Sequence, residues 1–312
     1  MLLNLVAKIE LPPHEGPGGF DHGDVHGPGA LLCVAHTANN TVDMVDLRQR
    51  TVRKSIPRLP GVAGVLFCRR TAAQSAAMFS SNRAEGTISM FSPAPGREMW
   101  RVRTGLFPNG MAVDDAGAQL LVAHVGAADK PGSQTVCLVD VSRGVVEATL
   151  PAPGRTRWAV YHAAEKQFLI NIADPPQIMR VDPLGRAILS PIEIPAAGPH
   201  GLEIDHKTGR VFCACDDGSL LALDAQTGKL LSRCALSGAP DVIMLNRRNN
   251  HLYVACGDPG AVDIVDANTC QLIGSVSTEP GAHTLAVYEE ASEVIVFLPQ
   301  SCVAAVYRDD AA

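Results

Sequence analysis

Residues 201–236, GLEIDHKTGRVFCACDDGSLLALDAQTGKLLSRCAL, decide the fold. GLEID is an apolar run, and DHKTG is a turn ending on Gly209. RVFCAC is a second run, DDG a tight turn and SLLALD a third run. AQTG turns again before KLLSRCAL. Runs of about five residues, alternating or wholly apolar and separated by Gly/Asp/Asn turn chemistry, read as strands. The stretch is therefore a four-stranded antiparallel unit.

The same unit recurs along the chain. Apolar runs closing on Asp end at Asp46, Asp140, Asp182, Asp224 and Asp266, the last four spaced by 42 residues. One further step of 42 reaches Arg308, and ISMFS with Ser92 fills the gap between Asp46 and Asp140, making seven units. A second landmark, a polar or small residue opening each unit after a Gly/Pro turn, keeps the same phase at His22, Ala63, Asn109, Arg157, His200, Asp241 and His283. A third marks the end of each second strand, at His36, Ser81, His124, Ile172, Cys215, Cys256 and Pro299. A period of roughly 40–45 residues with four strands per unit is the signature of a propeller blade. The expected fold is all-β, a seven-bladed β-propeller of four-stranded antiparallel blades forming one domain over residues 1–312. The seventh unit lacks a fourth strand after Arg308, and residues 2–11, LLNLVAKIEL, fall where one is needed. The N-terminal strand is thus expected to complete the last blade and close the ring, removing an open sheet edge.

Composition agrees with a large folded core. Of 312 residues 46% are hydrophobic and 19% charged, with a formal net charge of −6. That balance gives neither the low hydrophobicity of disorder nor the basic footprint of a nucleic-acid binder. No apolar stretch is long enough to span a membrane, and MLLNLVAKIELPP lacks the basic start and cleavage site of a signal peptide. The 9 Cys are odd in number and mostly inside strand runs, as expected of buried thiols in a reduced, cytoplasmic protein.

VAHTANNTVDMVDL (34–47) and VACGDPGAVDIVDANTCQLIGSV (254–276) resemble the YVTN-type repeats of surface-layer-like seven-bladed propellers. FPNGMAVDDAG (107–117) and GPHGLEIDHKTG (198–209) are similar to the blade openings of gluconolactonase-like and streptogramin-lyase-like propellers. The resemblance spans nearly the whole chain. It implies the propeller fold and, among its mixed activities, a lactonase or lyase. Gluconolactonase-like members hold a divalent metal through Asn and acidic residues at the channel mouth. Asn109 matches that pattern, whereas His200 stands where an Asn is expected.

In a propeller the loop entering each first strand and the loop leaving each second strand lie on one face. The second and third landmarks then form inner and outer rings at one mouth. Five of the 10 His fall on these 14 positions. Neutral imidazoles are the commonest ligands for transition metals. His22, His200 and His283, with Asp241 as ligand or orienting acceptor, form a candidate site for a divalent metal of the Zn, Fe, Mn or Cu class. An equal reading has these residues bridging blades by hydrogen bonds and water. His26 in FDHGDVHG is a weaker ligand candidate. Arg157 fits a substrate carboxylate by its bidentate fork, and Asn109, His36 and His124 would line the substrate. Glu203, a carboxylate in an apolar first-strand slot, and His124 are the candidate proton carriers, with Arg157 completing the catalytic set. Absent GxSxG, Walker and GxGxxG motifs leave serine-hydrolase and nucleotide chemistry without support. Two functions are expected: a metal-dependent hydrolase or lyase acting on a small carbonyl or carboxylate-bearing substrate, or a non-enzymatic scaffold binding a small ligand or a protein. Neither a nucleic acid nor a membrane is expected as partner, and the oligomeric state is not legible.

Overall fold

The computed structural model describes residues 2–68, 76–92, 96–114, 116 and 118–310. It contains seven four-stranded sheets, each joining strands in sequence order except the one that closes the ring. The blades span 23–56, 62–103, 108–151, 156–193, 199–235 and 239–277, and the seventh joins 285–309 to the N-terminal strand Leu3–Glu10. That strand pairs antiparallel with Val303–Asp309, from Leu3 opposite Asp309 to Glu10 opposite Val303. The seven-blade count and the closure both stand as expected. No helix among the described residues is long and apolar enough to cross a membrane.

The recurring Asp has a local cause. Each sits at the end of a third strand and folds its carboxylate over the following turn. Asp46 Oδ1 accepts from the backbone N–H of Arg48 and Gln49, both at 2.9 Å. Asp182 accepts from Leu184 at 2.9 Å, and Asp266 from Asn268 and Thr269, both at 2.8 Å. Asp140 and Asp224 accept from Arg143 and Thr227 at 2.9 and 2.7 Å. A side chain that supplies the turn's acceptor competes well here and nowhere else along the strand. Asp140, held by Ser142 and Arg143, is depressed to about 2.

Cohesion between blades is apolar. Seven clusters of buried side chains each join two neighbouring sheets. Phe20, Leu32, Ile295, Phe297 and Val306 join blades seven and one, for example, and Phe212, Leu220, Ile243 and Leu252 join five and six. Each fully buried Phe or Leu contributes about 1.5–3 kcal/mol, so the ring holds through many comparable joints. None of the nine Cys is in a disulfide, and burial pushes the thiols of Cys137 and Cys256 up to about 12, as expected of packing residues.

Two carboxylates tie first strands together across blades. Asp24 Oδ2 accepts from Phe67 N–H of the next blade at 2.8 Å. Glu203 accepts from Leu245 N–H at 3.3 Å and from Arg247 Nη2 at 3.1 Å. Glycine sets how close such strands come. A Cβ on Gly201 would lie 2.5 Å from the carbonyl oxygen of Asp241, and one on Gly110 would lie 2.3 Å from that of Arg157. With glycine there, the residue just before it is carried against the opening of the next blade.

Candidate functional site

The close approach at Gly201 brings His200 and Asp241 together. His200 Nε2 lies 3.1 Å from Asp241 Oδ1, and His22 Nε2 approaches the same oxygen at 3.9 Å. His200 Nδ1 lies 2.8 Å from Asp216 Oδ1. Arg157 reaches Asp216 Oδ2 at 3.2 Å with Nη2 and stands 3.0 Å from His200 Nε2 with Nη1. On the other side of the mouth Arg83 donates to Asn109 Oδ1 at 2.7 Å and pairs with Asp21 at 3.3 Å. Asp21 also lies 3.3 Å from His22 Nε2. The Trp158 ring meets the His22 ring nearly edge-on, with centroids 4.3 Å apart. The backbone carbonyl of His283 accepts from Val242 N–H, so His283 lies beside Asp241 on the same rim. Thus His22, Asn109, Arg157, His200, Asp241 and His283 surround one opening.

The charges follow from these contacts. Burial pushes the His200 imidazole down, but the carboxylates of Asp216 and Asp241 outweigh it and lift the pKa to about 9. Burial likewise raises Asp241, and the imidazoles of His200 and His22 more than reverse it, holding the carboxyl well below its usual range. Asp216 is also lowered, by His200 and Arg157 acting against burial. Burial lowers the Arg157 guanidinium, with neighbouring Arg155 and Arg83 adding repulsion. The contact at His200 Nε2 has two exclusive readings: a neutral nitrogen accepts from Arg157, and a protonated one turns its N–H toward Asp241. With two carboxylates on the ring the imidazolium prevails at neutral pH. Arg157 Nη1 then faces another N–H donor. Arg157 Nε is buried without an acceptor, and Asp241 Oδ1 receives no aligned donor despite the short ion pair.

The four expected metal donors do not form a cage. Among the described residues no group of three or more His, Cys, Asp or Glu is arranged to hold a metal ion. His200 Nε2, which would have to offer its lone pair, is contested by a guanidinium. His283 turns its Nδ1 back onto Gly281 O at 2.8 Å and has no contact with Asp241 through its ring in the hydrogen bonds and ion pairs of the mouth.

Several other expectations are relocated. His36 is fully buried, not on a substrate wall. Its Nδ1 bonds Asp43 Oδ2 at 2.7 Å, and its Nε2 bonds His14 Nδ1 at 2.8 Å, pinning the segment before the first blade. His124 is also fully buried, held by Thr135 and pushed down to about 4 by burial. Buried and neutral, it is not suited to carry protons at the rim. Glu203 is an ion-paired anion on Arg247, three residues further along the channel strand than His200. His26 packs on Phe67 at the other end of its strand, with centroids 5.6 Å apart. The site residues missed by sequence reading are Asp21, Arg83, Trp158 and Asp216. Asp216 directly follows the outer-ring Cys215, and Trp158 directly follows Arg157, so a window one residue wider at each landmark finds both.

No family profile and no curated protein sequence matches the chain. Among solved structures it is similar to hydrazine synthase of Kuenenia stuttgartiensis, with a TM-score of 0.83 over 96% of this chain and 98% of that one, at 13% sequence identity. The likeness is one of fold. It supports the seven-bladed propeller and carries no residue of the mouth across.

Proposed function

We propose that the channel mouth binds a small carboxylate-bearing substrate and performs proton-transfer chemistry on it, in an elimination or the reverse addition. The observation behind this reading is the convergence of two imidazole Nε2 atoms, from His200 and His22, on one ionised oxygen of Asp241. Arg157, with an unsatisfied Nε and an Nη1 facing a second cation, supplies the charge-assisted donors for the carboxylate. Asn109, steadied by Arg83, orients the substrate's other oxygen. His200, an imidazolium at neutral pH, gives its proton to the departing oxygen while His22 takes the proton from the carbon beside the carboxylate. Asp241 lies between the two rings and returns the proton from His22 to His200. No step is routed through a metal.

The test is a panel of β-hydroxy and β-acyloxy carboxylates followed by ultraviolet absorbance of the unsaturated acid, with calorimetry for binding. Turnover abolished in His200→Gln and His22→Gln, with binding lost in Arg157→Gln, is the expected result. Tight binding without turnover in the wild-type protein would instead establish the scaffold function. Binding or activity that requires added metal would restore the metal-centred reading.

A further inference from the structure

The opening does not end at the rim. A cavity of about 460 Å³ runs down the propeller axis from His22, Asn109 and Trp158 toward Glu203 and Arg247. That volume lies within the range that holds a drug-sized ligand. Leu66, Met111, Ala112, Val160, Ile243 and Met244 give its middle an apolar wall, and the two carboxylates at the same strand positions, Asp24 and Glu203, accept from Phe67 N–H and from Leu245 N–H and Arg247. Trp158 stands at the junction, sharing the wall of the cavity with the ring contact to His22. The far end is internally paired. Arg247 there is held between Glu203 and Glu289, each at 3.1 Å.

We infer that the ligand is amphipathic: a carboxylate head held at the rim by Arg157, with an unbranched or aromatic apolar body lying down the channel against Trp158, Met111 and Met244. This rests on the carboxylate reading of the mouth and adds the class of molecule. Arg157 fixes the head, since its Nε is the rim donor left without an acceptor among the described residues. The apolar wall fixes the body, since a polar chain there would lose hydration with no partner in return.

The probes are acetate, butyrate, hexanoate and octanoate, with hexanol as the uncharged control. Binding is read by calorimetry on the wild-type protein and by emission of a Trp100→Phe variant. The chain has 2 Trp, so this variant leaves Trp158 as the only reporter. Affinity should rise about fourfold per methylene along the series, with Trp158 emission moving to the blue for hexanoate and not for acetate. Met244→Trp should narrow the channel and remove the chain-length gain, so that octanoate binds no more tightly than acetate. Equal affinity for all four carboxylates, weakened together by Arg157→Gln, would overturn the channel inference and leave the carboxylate mouth standing. Hexanol binding as tightly as hexanoate would overturn the anchored head. Chain-length-dependent binding indifferent to Arg157→Gln would overturn the carboxylate reading itself.

Discussion

His200 Nε2 lies 3.1 Å from Asp241 Oδ1 and 3.0 Å from Arg157 Nη1, so one ring nitrogen is claimed by an anion and a cation. The two carboxylates around the ring decide the contest and raise its pKa from 6.5 to about 9. A raised imidazole pKa contributes stability that is complete below the unfolded value and lost as pH rises through the folded one. Thermal stability should therefore decline as pH climbs from about 6.5 toward 9. Asp241→Asn should bring the His200 titration, read by NMR, back down. An unchanged titration in that variant would show that Asp216 alone sets it.

Gly201 controls how near blades five and six come at the mouth. A Cβ there would meet the Asp241 carbonyl at 2.5 Å, and backbone cannot swing aside. Gly201→Ala should cost about 1–3 kcal/mol, the usual penalty of overpacking. It should also lower the His200 pKa by moving Asp241 away. Calorimetric unfolding and the same NMR titration check both.

Ring closure depends on one strand. Removing residues 2–10 strips the partner from Val303–Asp309 and exposes a full sheet edge. The truncated chain should aggregate or unfold at lower temperature, as measured by light scattering during a thermal ramp. A separately supplied peptide of that strand should partly restore the melting temperature.

The repeated Asp residues act as turn acceptors. Asp266→Ala removes the acceptor for Asn268 and Thr269 N–H and should cost about 1–2 kcal/mol in denaturant unfolding. Asp266→Asn retains an oxygen at the same place and should cost less than half as much.

His124 predicts acid behaviour of the opposite kind to His200. Burial depresses it from 6.5 to about 4. The unfolded chain takes up this proton as pH falls through 6.5, and the folded chain does not until about 4, so stability drops across that window. His124→Asn, which offers an amide near the Nδ1 position facing Thr135, should flatten that drop in a pH series of melting temperatures, whatever its effect on stability at neutral pH.

Much of the architecture was written in the sequence because its causes are local. Turn acceptors such as Asp182, the Gly/Pro turns before the blade openings and alternating apolar runs each act within a few residues, and their repetition counted seven blades and left residues 2–11 to close the ring. The same register placed His22, Asn109, Arg157, His200, Asp241 and His283 on one rim. Roles were another matter. His36 and His124 were expected to line the substrate, yet one is locked between His14 and Asp43 and the other is fully buried against Thr135. Asp216 and Arg83 enter the mouth from loops just beyond the outer-ring landmarks Cys215 and Ser81, one and two residues past the marked positions. A side chain's protonation and freedom depend on what stands within about 4 Å of it, and in a ring those neighbours come from different blades. The sequence alone determined the ring and the blade-opening residues at its mouth. Only the packing of blade against blade decided which of them are paired, which are charged, and which are left without a partner.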